Sequence, residues 1–126
     1  MATNITTKSF NEKVYNLDDI KSVDDLKLIG DRPVVIDFYA PWCGPCKMLE
    51  PTFDELSEKY EGLVDFYKVN IDDELDLAVS FGVRSVPMVL YIPTEGKPTL
   101  EAGAPSKDQM KYLVDGLLEQ SKEDKW

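Results

Sequence analysis

Residues 42–47 read Trp42-Cys43-Gly44-Pro45-Cys46-Lys47 and hold both cysteines of the chain. Only Pro41 separates them from Val34-Val35-Ile36-Asp37-Phe38-Tyr39-Ala40, a near-continuous apolar run, β-branched at its start, as a strand covered on both faces should be. If Cys43 opens a helix, Cys46 lies one turn on along the same face, roughly 5–6 Å away between Cβ atoms, within the reach of a disulfide. Pro45 suits a first helical turn, where its missing N–H costs nothing. The two thiols can therefore cycle between dithiol and disulfide. The other use of this spacing is half of a zinc site. Tetrahedral structural sites usually take four Cys or His ligands, and a chain with two Cys and no His cannot supply them. No metal and no cofactor are expected.

Working outward, residues 1–9 are polar and expected to fray, and residues 10–15 are a weak strand candidate. Leu17, Ile20, Leu26 and Ile29 recur near helical spacing, with Ser22 and Asp25 as a capping box, before Gly30 and Pro33 stop the pattern. Beyond the cysteines, Leu49, Phe53, Leu56 and Tyr60 mark one face of a helix expected to be broken by a kink near Pro51, and Gly62 closes it. Residues 63–71 read as a strand. Asp72-Asp73-Glu74 then charges the start of a helix whose inner stripe is expected at Leu75, Ala78 and Val79, ending at Gly82.

Met88-Val89-Leu90-Tyr91-Ile92 and residues 99–102 read as a hairpin about the turn Pro93-Thr94-Glu95-Gly96. Ser106 with Gln109 is a capping box for a last helix with Met110, Leu113, Val114, Leu117 and Leu118 on one face, and residues 121–126 form a charged tail. Strands alternating with helices, then a hairpin and a helix, specify an α/β fold: a central mixed β-sheet with helices on both faces. At 126 residues a single domain over 1–126 is expected, its core at about 8–120 and its ends flexible.

The two cysteines are not equivalent. A helix N-terminus carries positive potential and unpaired N–H groups, which favour a thiolate at Cys43 and make it the nucleophile. Cys46, deeper in the helix, is the resolving thiol that attacks the mixed disulfide and frees the product. With no histidine, proton handling falls to carboxylates, thiols or water. Asp37 is the candidate. An acid inside a buried apolar strand is penalised when ionised, so its pKa should rise into the range where it exchanges a proton with Cys46. The alternative is an acid on a strand edge, facing solvent.

Acids outnumber bases 24 to 14, a net charge of −10 that repels phosphate backbones and anionic headgroups. Nucleic acid and membrane are therefore not expected partners, and no apolar segment approaches the roughly 18–20 residues of a membrane helix. Residues 1–16 lack a basic region followed by an apolar core. The cytoplasm is the expected compartment, and a leader removed before Met1 would make it the periplasm.

Trp-Cys-Gly-Pro-Cys-Lys is the motif that marks thioredoxins, and this chain resembles that family over roughly residues 8–120. The resemblance rests on the Asp37 strand, the motif, Pro51, Lys68-Val69-Asn70-Ile71-Asp72, Gly82-Val83-Arg84-Ser85-Val86-Pro87 and Gly103-Ala104. It implies the thioredoxin fold and reduction of protein disulfides through Cys43 and Cys46. The expected partners are disulfide-bearing proteins and a reductase such as thioredoxin reductase, and a monomer is expected. It also implies that Asp37 lies beneath the motif and that Lys68 neighbours it, though Lys68 also reads as an ordinary solvated strand lysine. The family carries a cis-proline at the position of Pro87, where the residues alone suggest turn punctuation. Substrate would then dock along Trp42, Gly44, Pro45, Val86, Pro87, Met88, Gly103 and Ala104. Met88 stands where threonine is usual, Tyr39 where many members have tryptophan, and the turn at residues 93–96 is slightly long. The last feature resembles exported bacterial relatives, so an exported reductase or isomerase is the nearest alternative, and a non-catalytic binding subunit is the alternative of another class.

Overall fold

The computed structural model describes residues 2–16 and 28–123, with side chains as far as residue 119. Its elements in order are β1 (Thr3–Asn4), α1 (Thr7–Lys13), β2 (Val34–Tyr39), α2 (Gly44–Lys59), β3 (Asp65–Asn70), α3 (Leu75–Ser80), β4 (Met88–Ile92), β5 (Thr99–Ala102) and α4 (Lys107–Glu123). The strands form one mixed sheet in the order β1-β3-β2-β4-β5. β1 and β2 flank β3 in parallel, while β4 runs antiparallel to β2 and pairs with β5 as the expected hairpin.

The apolar run of β2 is divided by strand parity, because successive side chains point to opposite faces. Val35 packs with Leu49, Phe53 and Leu56 of α2 and with Met110, Val114 and Leu117 of α4. Val34, Ile36 and Phe38 pack on the other face with Phe10 of α1 and Leu77 of α3. Both faces of β2 are thus covered, as its composition demanded. Asp37 shares the parity of Val35, so it points toward the side of the sheet that α2 covers.

At the N-terminus the structure departs from the sequence expectation. Residues 10–15 are not a strand: α1 begins at Thr7, with the Thr6 hydroxyl accepting the Ser9 N–H at 3.1 Å. Helical spacing buries both Phe10 and Val14 completely, which a strand would also orient inward, so the cap decides. Nor do the described residues of the 1–9 segment simply fray, because Thr3 and Asn4 pair in register with Tyr67 and Lys68. The helix expected from Leu17 to Ile29 lies largely outside the described residues.

Three further differences concern the helices. α2 runs through Pro51 without a break, since the N–H that proline lacks would have met only the carbonyl of the exposed Lys47. α3 turns Leu77 and Ala78 inward, while Leu75 and Val79 are 63% and 67% exposed, so the expected stripe is out of phase. A helix of six residues has too few turns for periodicity to fix its orientation, and the sheet decides it. α4 continues to Glu123, beyond the expected start of the tail. Half of the expected capping box forms at its N-terminus: the Gln109 N–H donates to Ser106 Oγ at 3.1 Å, while the Gln109 side-chain amide donates to Glu101 Oε2 at 3.4 Å.

Candidate active site

Cys43 is the N-cap of α2, in extended conformation, and Gly44 and Pro45 begin the helix. Its backbone N–H donates to the Ala40 carbonyl at 3.1 Å, which ties the turn at the end of β2 to the start of α2. Cys43 and Cys46 are joined as a disulfide, with Cα atoms 5.3 Å apart. The Cys46 N–H donates to Cys43 Sγ at 3.2 Å. This places the Cys43 sulfur on the helix axis end where unpaired N–H groups and the dipole stabilise negative charge.

Exposure does not distinguish the two sulfurs, since Cys43 and Cys46 are 5% and 4% exposed. Their neighbours do. Cys43 is flanked by exposed Trp42, Gly44 and Pro45. The Trp42 indole is 69% exposed yet fixed, its N–H donating to Asp72 Oδ2 at 3.1 Å. Cys46 faces inward onto a cleft of about 300 Å³ that Asp37, Glu50 and Lys68 also line, with Asn4 and Tyr39 at its side. The Tyr39 hydroxyl donates to Asn4 Oδ1 at 2.7 Å, which links the cleft to β1.

Asp37 is 2% exposed, and its Oδ1 has no hydrogen-bond partner among the described residues. Burial pushes its pKa up to about 7; Lys68 opposes the rise, and Glu50 and Asp54 add to it. The buried reading of Asp37 is therefore the one the fold realises.

Lys68 is the Cα partner of Asp37 across the β2–β3 ladder. Its ion pairs, however, go to α2: Nζ lies 3.2 Å from Asp54 Oδ1 and 3.3 Å from Glu50 Oε1. Burial works against the ammonium, but the Asp54 and Glu50 carboxylates outweigh it and raise its pKa above the ordinary lysine value. Lys68 thus neighbours Asp37 and is buried, unlike a solvated strand lysine, but its ion pairs are with the acids of α2. The sequence reading missed Glu50 and Asp54, although their spacing gave a signal: Cys46, Glu50 and Asp54 recur every four residues and so share one stripe of α2.

The Val86–Pro87 peptide bond is cis. Val86 packs against the cluster formed by Ala40 and the two cysteines, which brings this turn to the disulfide. The Pro87 carbonyl accepts the Gly103 N–H at 2.9 Å, and Gly103 takes φ 89°, a conformation that glycine alone adopts without strain. Gly103 and Ala104 are exposed beside this turn. Met88 is half-buried, and its contacts are with the Phe38 side of the core. Among the described residues no group of three or more Cys, Asp or Glu side chains is placed to hold a metal ion.

The thioredoxin family profile matches residues 2–116. The chain is 46% identical over 114 residues to a thioredoxin of Borreliella burgdorferi, covering 90% of this chain and 95% of that protein. It is 41% identical over 85 residues to a thioredoxin of Haemophilus influenzae, covering 68% of this chain and 79% of that protein. A chloroplastic M-type thioredoxin of Brassica napus is 41% identical over 97 residues, 76% of this chain, which spans 54% of that longer protein.

Proposed function

The chain belongs to the thioredoxin family of protein-disulfide oxidoreductases, and on that premise we propose how its residues divide the reaction. In the dithiol form the Cys43 thiolate, favoured by the α2 N-terminus, attacks one sulfur of a substrate disulfide. A Cys43–substrate disulfide forms, and the other substrate sulfur leaves as a thiolate that takes up a proton. Asp37, as carboxylate, accepts the Cys46 thiol proton across the shared cleft. The Cys46 thiolate then attacks Cys43 Sγ, closing the intramolecular disulfide and releasing the second substrate thiolate. Two electrons pass to the substrate.

The observation that carries this reading is the shared cleft: a buried carboxyl with a pKa near 7 and the inner sulfur line one cavity, while the outer sulfur caps the helix. An extended substrate segment docks along the cis Val86–Pro87 turn, where half-buried Val86 packs on the cysteine cluster, Pro87 is buried and exposed Gly103 bonds to the Pro87 carbonyl. Trp42, Gly44, Pro45 and Ala104 border the same surface, and Met88 acts through the position of this turn.

The reading extends to one domain, a monomer, and recycling by a dithiol donor such as thioredoxin reductase. No helix among the described residues is long and apolar enough to cross a membrane. The proposed compartment is the cytoplasm, in keeping with sulfurs committed wholly to the redox motif. The test is insulin reduction with dithiothreitol as donor. The wild type should accelerate it and Cys43→Ser should abolish the acceleration; a Cys43→Ser variant with undiminished activity would refute the mechanism.

A further inference from the structure

The ladder sets Asp37 and Lys68 side by side on one face of the sheet, and a lysine stem is long enough to serve more than one acid. The ammonium is fixed by two carboxylates of α2, Asp54 at 3.2 Å and Glu50 at 3.3 Å, and not by a hydrogen bond to Asp37. The two acids stand one and two turns beyond Cys46 on the same helix stripe. Asp37 Oδ1 is left without a partner among the described residues, in the cleft that Cys46 lines.

We propose that Glu50, acting with Asp54, is a positioning residue for the resolving step: it holds the Lys68 ammonium on α2 so that the Asp37 carboxyl stays unpaired beside Cys46. This rests on the reading of Asp37 as the base for Cys46. An ammonium bonded to Asp37 would hold it as a carboxylate at lower pH and make it a weaker proton acceptor. The Glu50 and Asp54 charges act in the same direction through space, since both raise the Asp37 pKa.

The other groups facing Asp37 do not replace this pair. From α2, Lys47 lines the outer part of the cleft and is exposed. From β2, the Tyr39 phenol is pushed up by burial, and from β4 the buried Tyr91 phenol is pushed up by burial and by Glu101 and Asp37, so both stay neutral while Asp37 titrates. Lys68 is thus the cation whose placement governs the carboxyl, and Glu50 and Asp54 govern Lys68.

The test is the titration of the Asp37 carboxyl, followed by carbon NMR in the disulfide form of the wild type, Glu50→Gln and Asp54→Asn. Glu50→Gln should lower the midpoint by roughly half a pH unit, the size of effect a part-exposed charge exerts. Asp54→Asn should lower it further, because Asp54 is the less exposed partner, 23% against 58% for Glu50. The acid limb of the resolving rate, measured by stopped flow on a preformed mixed disulfide, should move down by the same amount. An unmoved midpoint in both variants would overturn the proposal, as would a rate profile that Glu50→Gln still shifts in an Asp37→Asn background. An Asp37→Asn variant that resolves at the wild-type rate would instead overturn the base assignment beneath it.

Discussion

Asp37 and Lys68 are direct partners across the β2–β3 ladder, yet the Lys68 ammonium makes its ion pairs with Asp54 and Glu50 on α2. A carboxyl and an ammonium placed side by side in a buried setting would ordinarily neutralise each other. Here the helix that carries Cys46 also carries the competing acids. Burial, with Glu50 and Asp54 adding to it against Lys68, pushes the Asp37 pKa up to about 7 in the cleft that Cys46 also lines.

That arrangement has a stability consequence. The Asp37 pKa is raised from 3.8 to about 7 in the folded state, so between those values the folded protein keeps a proton that the unfolded chain has lost. Stability from this group therefore falls as pH rises from about 4 and is lowest above about 7, by up to roughly 4 kcal/mol. Asp37→Asn should match the wild type in urea melts near pH 4 and exceed it by a few kcal/mol at pH 8. It should also slow turnover about tenfold at pH 7. Equal melting curves at pH 8 would show that the carboxyl is solvated in the native state.

Cys46→Ser removes the thiol we propose to resolve the mixed disulfide and leaves the Cys43 environment at the start of α2 in place. Incubated with an activated aromatic disulfide or an oxidised protein substrate, it should accumulate a one-to-one covalent adduct through Cys43. Mass spectrometry would detect it, and dithiothreitol would release it. Recovery of free protein alone would reverse or remove the assigned roles of the two cysteines.

The inward face of α3 can be checked by truncation. Leu77 is fully buried and Leu75 is 63% exposed. Leu77→Ala should cost about 2–5 kcal/mol, whereas Leu75→Ala should stay within about 0.5 kcal/mol of the wild type. Comparable losses in denaturant melts would mean that α3 is rotated from the orientation described.

Much of the fold was legible because it is written in local pattern. The β-branched run before the motif, the turn at Pro93-Thr94-Glu95-Gly96 and the Ser106 cap each involve residues a few positions apart, and each formed where expected. The run alone left Asp37 open between a buried site and a solvent-facing strand edge; the resemblance favoured burial, and the packing of α2 over that face of β2 realises it. The strand at residues 10–15 was misread because Phe10 and Val14 satisfy either period, and the deciding bond from Ser9 to Thr6 is a single cap. Glu50 and Asp54 passed as solvated helix acids because nothing near them in sequence names their cation.

By itself, then, the sequence supplied the chemical groups: two thiols at a helix start, an acid in the strand before them, and no histidine or four-ligand metal set to compete with them. Only the tertiary structure decided which groups share the cleft, that Lys68 answers to α2, and that Met88 packs on the Phe38 side of the sheet. The physical reason is range. Caps, turns and periodicity act over three or four residues, whereas the protonation of Asp37 depends first on its burial and then on charges from β3 and from two turns of α2, all set only once the sheet has closed against the helix.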